Sequence, residues 1–155
     1  MTESADPIAI LIVDDDPDDR DLVREALKER CPAADIRTVS NGEELMDYLR
    51  RRVAYAAPGA APAPSLILLD LNMPRKSGRE ALTEIKADAA LRRIPVVVLT
   101  TSQAEEDVTR IYDLGANSFI VKPSRYQALL DTISTLDRYW FQIVSLPDRH
   151  ELPPA

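Results

Sequence analysis

Four apolar runs in this chain end in groups that can do chemistry. The run 8–13 leads into Asp14-Asp15-Asp16, the run 66–69 into Asp70, the run 94–99 into Thr100, and the run 118–121 into Lys122. If these runs are parallel strands, their carboxyl ends share one edge of a sheet. That edge would gather several carboxylates, a hydroxyl and one ammonium. Crowded carboxylates raise one another's pKa unless a cation compensates. An all-oxygen set suits a hard ion such as Mg²⁺ better than zinc or copper. Such a cluster suits phosphoryl chemistry on Asp70.

The elements that must deliver these groups follow from periodicity. The run 8–13 is continuously apolar, as expected for a strand buried on both faces. Residues 18–30 read as a helix, with Leu22, Val23, Ala26 and Leu27 at helical spacing and Pro17 at a permitted first-turn position. A short strand over 35–39 and a turn at Asn41-Gly42 precede a helix over 43–52. The stretch 53–65 cannot be a regular helix through Pro58, Pro62 and Pro64, and reads as an extended surface loop. Strands over 66–70, 94–99 and 118–121 alternate with helices over 80–90, 104–114 and 126–146, with Gly115 as a C-cap. Alternating β and α elements with buried strands predict a parallel sheet covered on both faces, with ligand chemistry at the strands' carboxyl ends. The expected organisation is a short N-terminus over 1–7, one domain over 8–146 and a tail over 147–155.

Composition narrows the function. The chain has 155 residues, enough for one domain with a real core. Its net charge of −7 disfavours nucleic acid and anionic membrane surfaces. No apolar run approaches the ~20 residues that span a bilayer. The N-terminus lacks a signal-peptide pattern. Cys31 is the single cysteine, so no intrachain disulfide is possible, and a reducing, cytoplasmic setting is expected. The single histidine, His150, lies in a Pro-rich tail and offers no triad or phosphohistidine helix.

Taken together, Val13-Asp14-Asp15, Leu68-Leu69-Asp70-Leu71-Asn72-Met73-Pro74, Gly78, Leu99-Thr100 and Lys122-Pro123 resemble the receiver domain of two-component response regulators over roughly residues 8–137. The resemblance implies a three-layer, doubly wound α/β fold of the flavodoxin-like (βα)5 type, with five parallel strands ordered 2-1-3-4-5. It implies that Asp70 accepts a phosphoryl group from a sensor histidine kinase. It implies Mg²⁺ held by Asp15, Asp70 and the Asn72 backbone carbonyl, with Asp14 acting through water. Lys122 would pair with Asp70 before transfer and with the phosphoryl group afterwards. Thr100 would donate its hydroxyl to that group, and Phe119 would turn inward as Thr100 moves. Asp16, Asp18 and Asp19 read as first-turn acids favoured by the helix dipole, not as ligands.

The last helix is expected to outrun the sheet. A five-residue strand spans ~17 Å, which about a dozen helical residues cover at ~1.5 Å each. Leu129, Ile133, Leu136, Trp140 and Ile143 form one stripe, and Trp140, Phe141, Ile143, Val144 and Leu146 are expected beyond the sheet edge, covered either by the tail folding back or, as the favoured reading, by a second subunit in a homodimer interface. The Pro/Ala insert, the Gly115-Ala116-Asn117-Ser118-Phe119 segment and the Tyr139-Trp140-Phe141 to Leu146-Pro147 ending are similar to the single-domain regulators associated with bacterial phytochromes. That likeness makes a bacteriophytochrome a candidate kinase.

The expected reading is thus a stand-alone regulator without substrate turnover. One rival is a haloacid-dehalogenase-like phosphatase with Asp70 as nucleophile. Such enzymes carry a second Asp two residues later, where this chain has Asn72. The other rival is a pseudo-receiver scaffold that never takes phosphate, against which the set Asp14, Asp15, Asp70, Thr100 and Lys122 speaks.

Overall fold

The computed structural model describes residues 7–101 and 105–147, with backbone alone over 105–107. Ser102, Ala104 and His150 therefore lie outside the described residues. Five parallel strands form one sheet: β1 (Ala9–Val13), β2 (Asp35–Val39), β3 (Leu66–Leu69), β4 (Val96–Thr100) and β5 (Ser118–Val121), ordered β2-β1-β3-β4-β5. The helices are α1 (Pro17–Arg30), α2 (Gly42–Leu49), α3 (Gly78–Ala87), α4 (Glu105–Asp113) and α5 (Tyr126–Leu136).

Successive strand side chains point to opposite faces, so the three inner strands, buried along their whole length, feed two cores. Leu11, Val13, Ile67, Leu69, Val96 and Val98 pack with Leu45, Leu82, Ile85 and Ile111 of α2, α3 and α4. Ile10, Ile12, Leu66, Leu68, Val97 and Leu99 pack with Val23 and Leu27 of α1 and with Leu129, Ile133 and Leu136 of α5. The sheet is therefore sandwiched between a three-helix layer and a two-helix layer, as expected.

The boundaries depart from expectation where capping decides them. Helix α2 starts at Gly42 because Asn41 caps it, its Oδ1 accepting from the Glu44 amide at 2.8 Å. Helix α3 starts at Gly78 because Ser77 and Glu80 form a capping box.

The stretch 53–65 is exposed over most of 53–59 and packs down towards its end. It opens with a 3₁₀ turn, Val53–Tyr55. The Tyr55 ring lies 5.1 Å from that of Tyr48, and its hydroxyl donates to Glu44 Oε2 at 2.7 Å. Ala61, Pro64 and Ser65 are buried. The Tyr48 hydroxyl donates to the Pro62 carbonyl at 2.8 Å.

The C-terminal helix is also different. Helix α5 stops at Leu136 and continues as a π-helical segment, Asp137–Ile143, after which Val144 is extended. A contact far away in sequence sits at this junction. Asp137 is buried, accepting from the Cys31 thiol at 2.6 Å and from Gln142 Nε2 at 2.8 Å. Trp140 and Phe141 pack against the α1–α5 core, not beyond it as the sequence suggested. Ile143, placed on the apolar stripe by periodicity, is 69% exposed, because the wider π turns change the angular spacing. Burial first, then the hydrogen bond and charge of Asp137, push the Cys31 thiol up to about 12. Cys31 is thus a hydrogen-bond donor and not a reactive thiolate.

Candidate functional site

Ladder hydrogen bonds continue past the strand ends and fix the polar groups at the sheet's carboxyl edge. The Asp14 amide donates to the Val39 carbonyl at 3.2 Å, the Asp70 amide to Val13 at 2.9 Å, and the Lys122 amide to Thr100 at 2.7 Å. Asp14, Asp70 and Thr100 are buried while Asp15 is exposed. One carboxylate oxygen from each of Asp14, Asp15 and Asp70 lies within 4.8 Å of the others. Three hard oxygen donors this close suit a divalent cation with water completing its shell. Asn72 follows two residues after Asp70 and is exposed in the β3–α3 loop.

A metal held here would supply positive charge between an acceptor carboxylate and an incoming phosphoryl oxygen. Asp15→Asn should weaken Mg²⁺ binding by at least the roughly tenfold that even an outer-shell change costs. Calorimetric titration reads this, and an unchanged affinity contradicts the ligand role.

Helix α3 comes so close to Asp70 that residue 78 has no room for a side chain. A Cβ on Gly78 would lie 2.2 Å from the Asp70 carbonyl oxygen and 2.8 Å from Leu71 Cα. The Gly78 amide donates to the Leu71 carbonyl at 3.0 Å. This contact braces the backbone directly behind the acceptor position.

Burial and then the Asp14 charge raise the Asp70 pKa; the Thr100 hydroxyl, Lys122 and the Leu71 amide oppose them without prevailing. Thr100 Oγ1 is fully buried yet makes no hydrogen bond of good geometry among the described residues. An unpartnered buried hydroxyl costs about 1–3 kcal/mol, so its persistence beside Asp70 fits a donor awaiting an acceptor.

Lys122 is where the structure corrects the sequence most. Its ammonium does not hydrogen-bond Asp70. It donates to Asp14 Oδ2 at 2.8 Å and to Asp19 Oδ2 at 3.1 Å. Burial alone would lower its pKa, but the hydrogen bonds and charges of Asp14 and Asp19 outweigh that and raise it. Two acids, Asp14 just after β1 and Asp19 in the first turn of α1, converge on the ammonium, whereas Asp70 is buried and holds its charge less readily. Asp19, read from sequence as a first-turn acid, thus belongs to the site. Asp16 is the N-cap, its Oδ1 accepting from the amides of Asp18 and Asp19 at 2.9 and 3.4 Å.

Phe119 is half-buried and packs against the α2–α4 core. Its amide donates to the hydroxyl of Tyr112 on α4 at 3.2 Å. Sequence reasoning passed over Tyr112, although an aromatic one residue after the apolar Ile111 was a visible signal. Trp140, Phe141, Val144 and Leu146 are partly exposed, and Tyr139 and Ile143 are the exposed large apolar side chains at this end.

A 2-1-3-4-5 parallel sheet with clustered acids, a buried hydroxyl and a lysine at its carboxyl edge defines a receiver domain, and residues 10–134 match the response regulator receiver domain family. The chain belongs to that family. It is 40% identical over 145 residues to the response regulator Rcp1 of Synechocystis sp., covering 94% of this chain and 97% of that one. Among solved structures it resembles the phosphorylated cyanobacterial phytochrome response regulator RcpA, with 41% identity, TM-score 0.85 and coverage of 92% and 99%. The Mn²⁺-bound form of Rcp1 superposes equally well, at 39% identity, TM-score 0.85 and coverage of 92% and 100%. Among the described residues no helix is long and apolar enough to cross a membrane.

Proposed function

We propose that this chain is a response regulator that takes a phosphoryl group onto Asp70 from the phosphohistidine of a sensor histidine kinase, in a reaction requiring Mg²⁺. An Asp70 carboxylate oxygen forms the new bond to phosphorus as the phosphorus–nitrogen bond breaks, and the electron pair returns to the kinase imidazole. The observation that carries the reading is the buried Asp70 carboxyl flanked by an unpartnered Thr100 hydroxyl and a nearby ammonium. Both would receive phosphoryl oxygens, Thr100 by its hydroxyl and Lys122 by its charge. Asp15, Asp70 and the Asn72 carbonyl would hold the ion, with Asp14 acting through water. Incubation with acetyl phosphate and Mg²⁺, followed by intact mass, should show one added phosphoryl group. No gain with several donors favours a pseudo-receiver scaffold, and turnover of a small phosphoester would favour a phosphatase.

The likeness to phytochrome response regulators supports a bacteriophytochrome as the kinase. Output passes through protein contacts, with Thr100 and Phe119 as the switch and a face carrying exposed Tyr112, Val121 and Tyr126. A second copy of the chain covers the exposed Tyr139 and Ile143. Tyr139→Ser with Ile143→Asp should therefore halve the mass seen by light scattering. Both positions are surface, so the melt should hold. A double variant that stays dimeric refutes this interface.

A further inference from the structure

Lys122 has to reach a phosphoryl oxygen on Asp70, yet its ammonium is hydrogen-bonded to Asp14, whose carboxylate neighbours that of Asp70, and to Asp19 on α1. Asp14 belongs to the acidic cluster, so a cation there competes for its charge. Asp19 lies outside that cluster and is held independently, because the Asp16 cap fixes the first turn of α1 and aims the Asp19 carboxylate back over the strand end. The contact is asymmetric: the Lys122 side chain is 7% exposed and that of Asp19 41%.

We propose that Asp19 is a positioning residue that retains Lys122 on the α1 side of the pocket and slows its movement to the phosphoryl group. This rests on the phosphoacceptor reading of Asp70. The hold is a half-exposed ion pair, so its loss should change rates by about two- to fivefold, the range such pairs support. Asp19 is thereby a brake on loading, distinct from the residues that touch the transferred group.

Asp19→Asn should accelerate labelling by acetyl phosphate within that range, and Asp19→Glu should restore the slower rate. Asp18→Asn makes the same charge change at an exposed neighbour and should leave the rate alone. The side-chain ¹⁵N resonance of the Lys122 ammonium, recorded without Mg²⁺ or any phosphoryl donor, reads the anchor directly. It should move in Asp19→Asn and stay in Asp18→Asn. An unmoved resonance in Asp19→Asn, or labelling that is unchanged or slower, overturns the proposal. If the wild-type protein takes no phosphoryl group, the proposed function fails by itself, and the resonance still decides whether Asp19 holds Lys122.

Discussion

Asp70→Asn should abolish the phosphoryl adduct and at the same time make the folded protein more stable at neutral pH. The first effect is complete because the amide cannot displace a leaving group at phosphorus. The second follows from the raised Asp70 pKa, caused by burial first and Asp14 second. The unfolded chain titrates near the ordinary value of 3.8, and the folded protein above it. Between those values the folded state binds more protons than the unfolded one, so stability falls as pH rises through that window and stays reduced above it. The amide carries no such penalty. The variant should therefore match the wild type in acid and exceed it at pH 7. Intact mass and thermal melts at several pH values check both halves. A variant that still takes phosphate, or that melts lower at pH 7, contradicts the assignment of Asp70 as a strained, buried acceptor.

Gly78→Ala should destabilise the fold by about 1–3 kcal/mol, the usual cost of forcing a methyl into a filled space, and should weaken Mg²⁺ binding as well. The neighbours at 2.2 and 2.8 Å are the Asp70 carbonyl oxygen and Leu71 Cα. Neither can turn aside as a flexible side chain would, so either α3 or the acceptor backbone must shift. A shift of the backbone moves Asp70 away from Asp14 and Asp15, and cation binding falls with it. Urea unfolding measures the first effect and a Mg²⁺ titration the second. A melt and an affinity both equal to wild type would mean that α3 does not press on the acceptor.

Much of this was legible in the chain because it depends on local pattern. Short continuous apolar runs read as strands, fully buried in β1, β3 and β4 and partly in the edge strand β5, and each leads into a polar residue at the sheet's carboxyl edge. Capping was half visible: Asn41 reads as a turn residue and is the side chain that starts α2, whereas the Ser77 cap of α3 shows only in the structure. Asp19 was not legible. A first-turn acid looks the same whether it faces water or an ammonium 103 residues away. The same holds for Asp137, which reads as one more surface acid until α1 and α5 lie side by side and the Cys31 thiol, 106 residues distant, reaches it. From that residue on the helix is π-helical, Trp140 and Phe141 pack against the core, and Ile143 is left outside.

Sequence alone determined which groups meet at the sheet edge, since side-chain period, strand polarity and chain order leave no other edge for Asp14, Asp15, Asp70, Thr100 and Lys122. Tertiary structure alone decided how they meet: Lys122 bonds Asp14 and Asp19, Thr100 is buried beside Asp70 without a well-formed bond among the described residues, and Gly78 lies against the back of Asp70. The physical reason is range. Periodicity fixes the direction of a side chain within its own element, whereas a hydrogen bond is settled by tenths of an ångström between elements that only the packed core brings together.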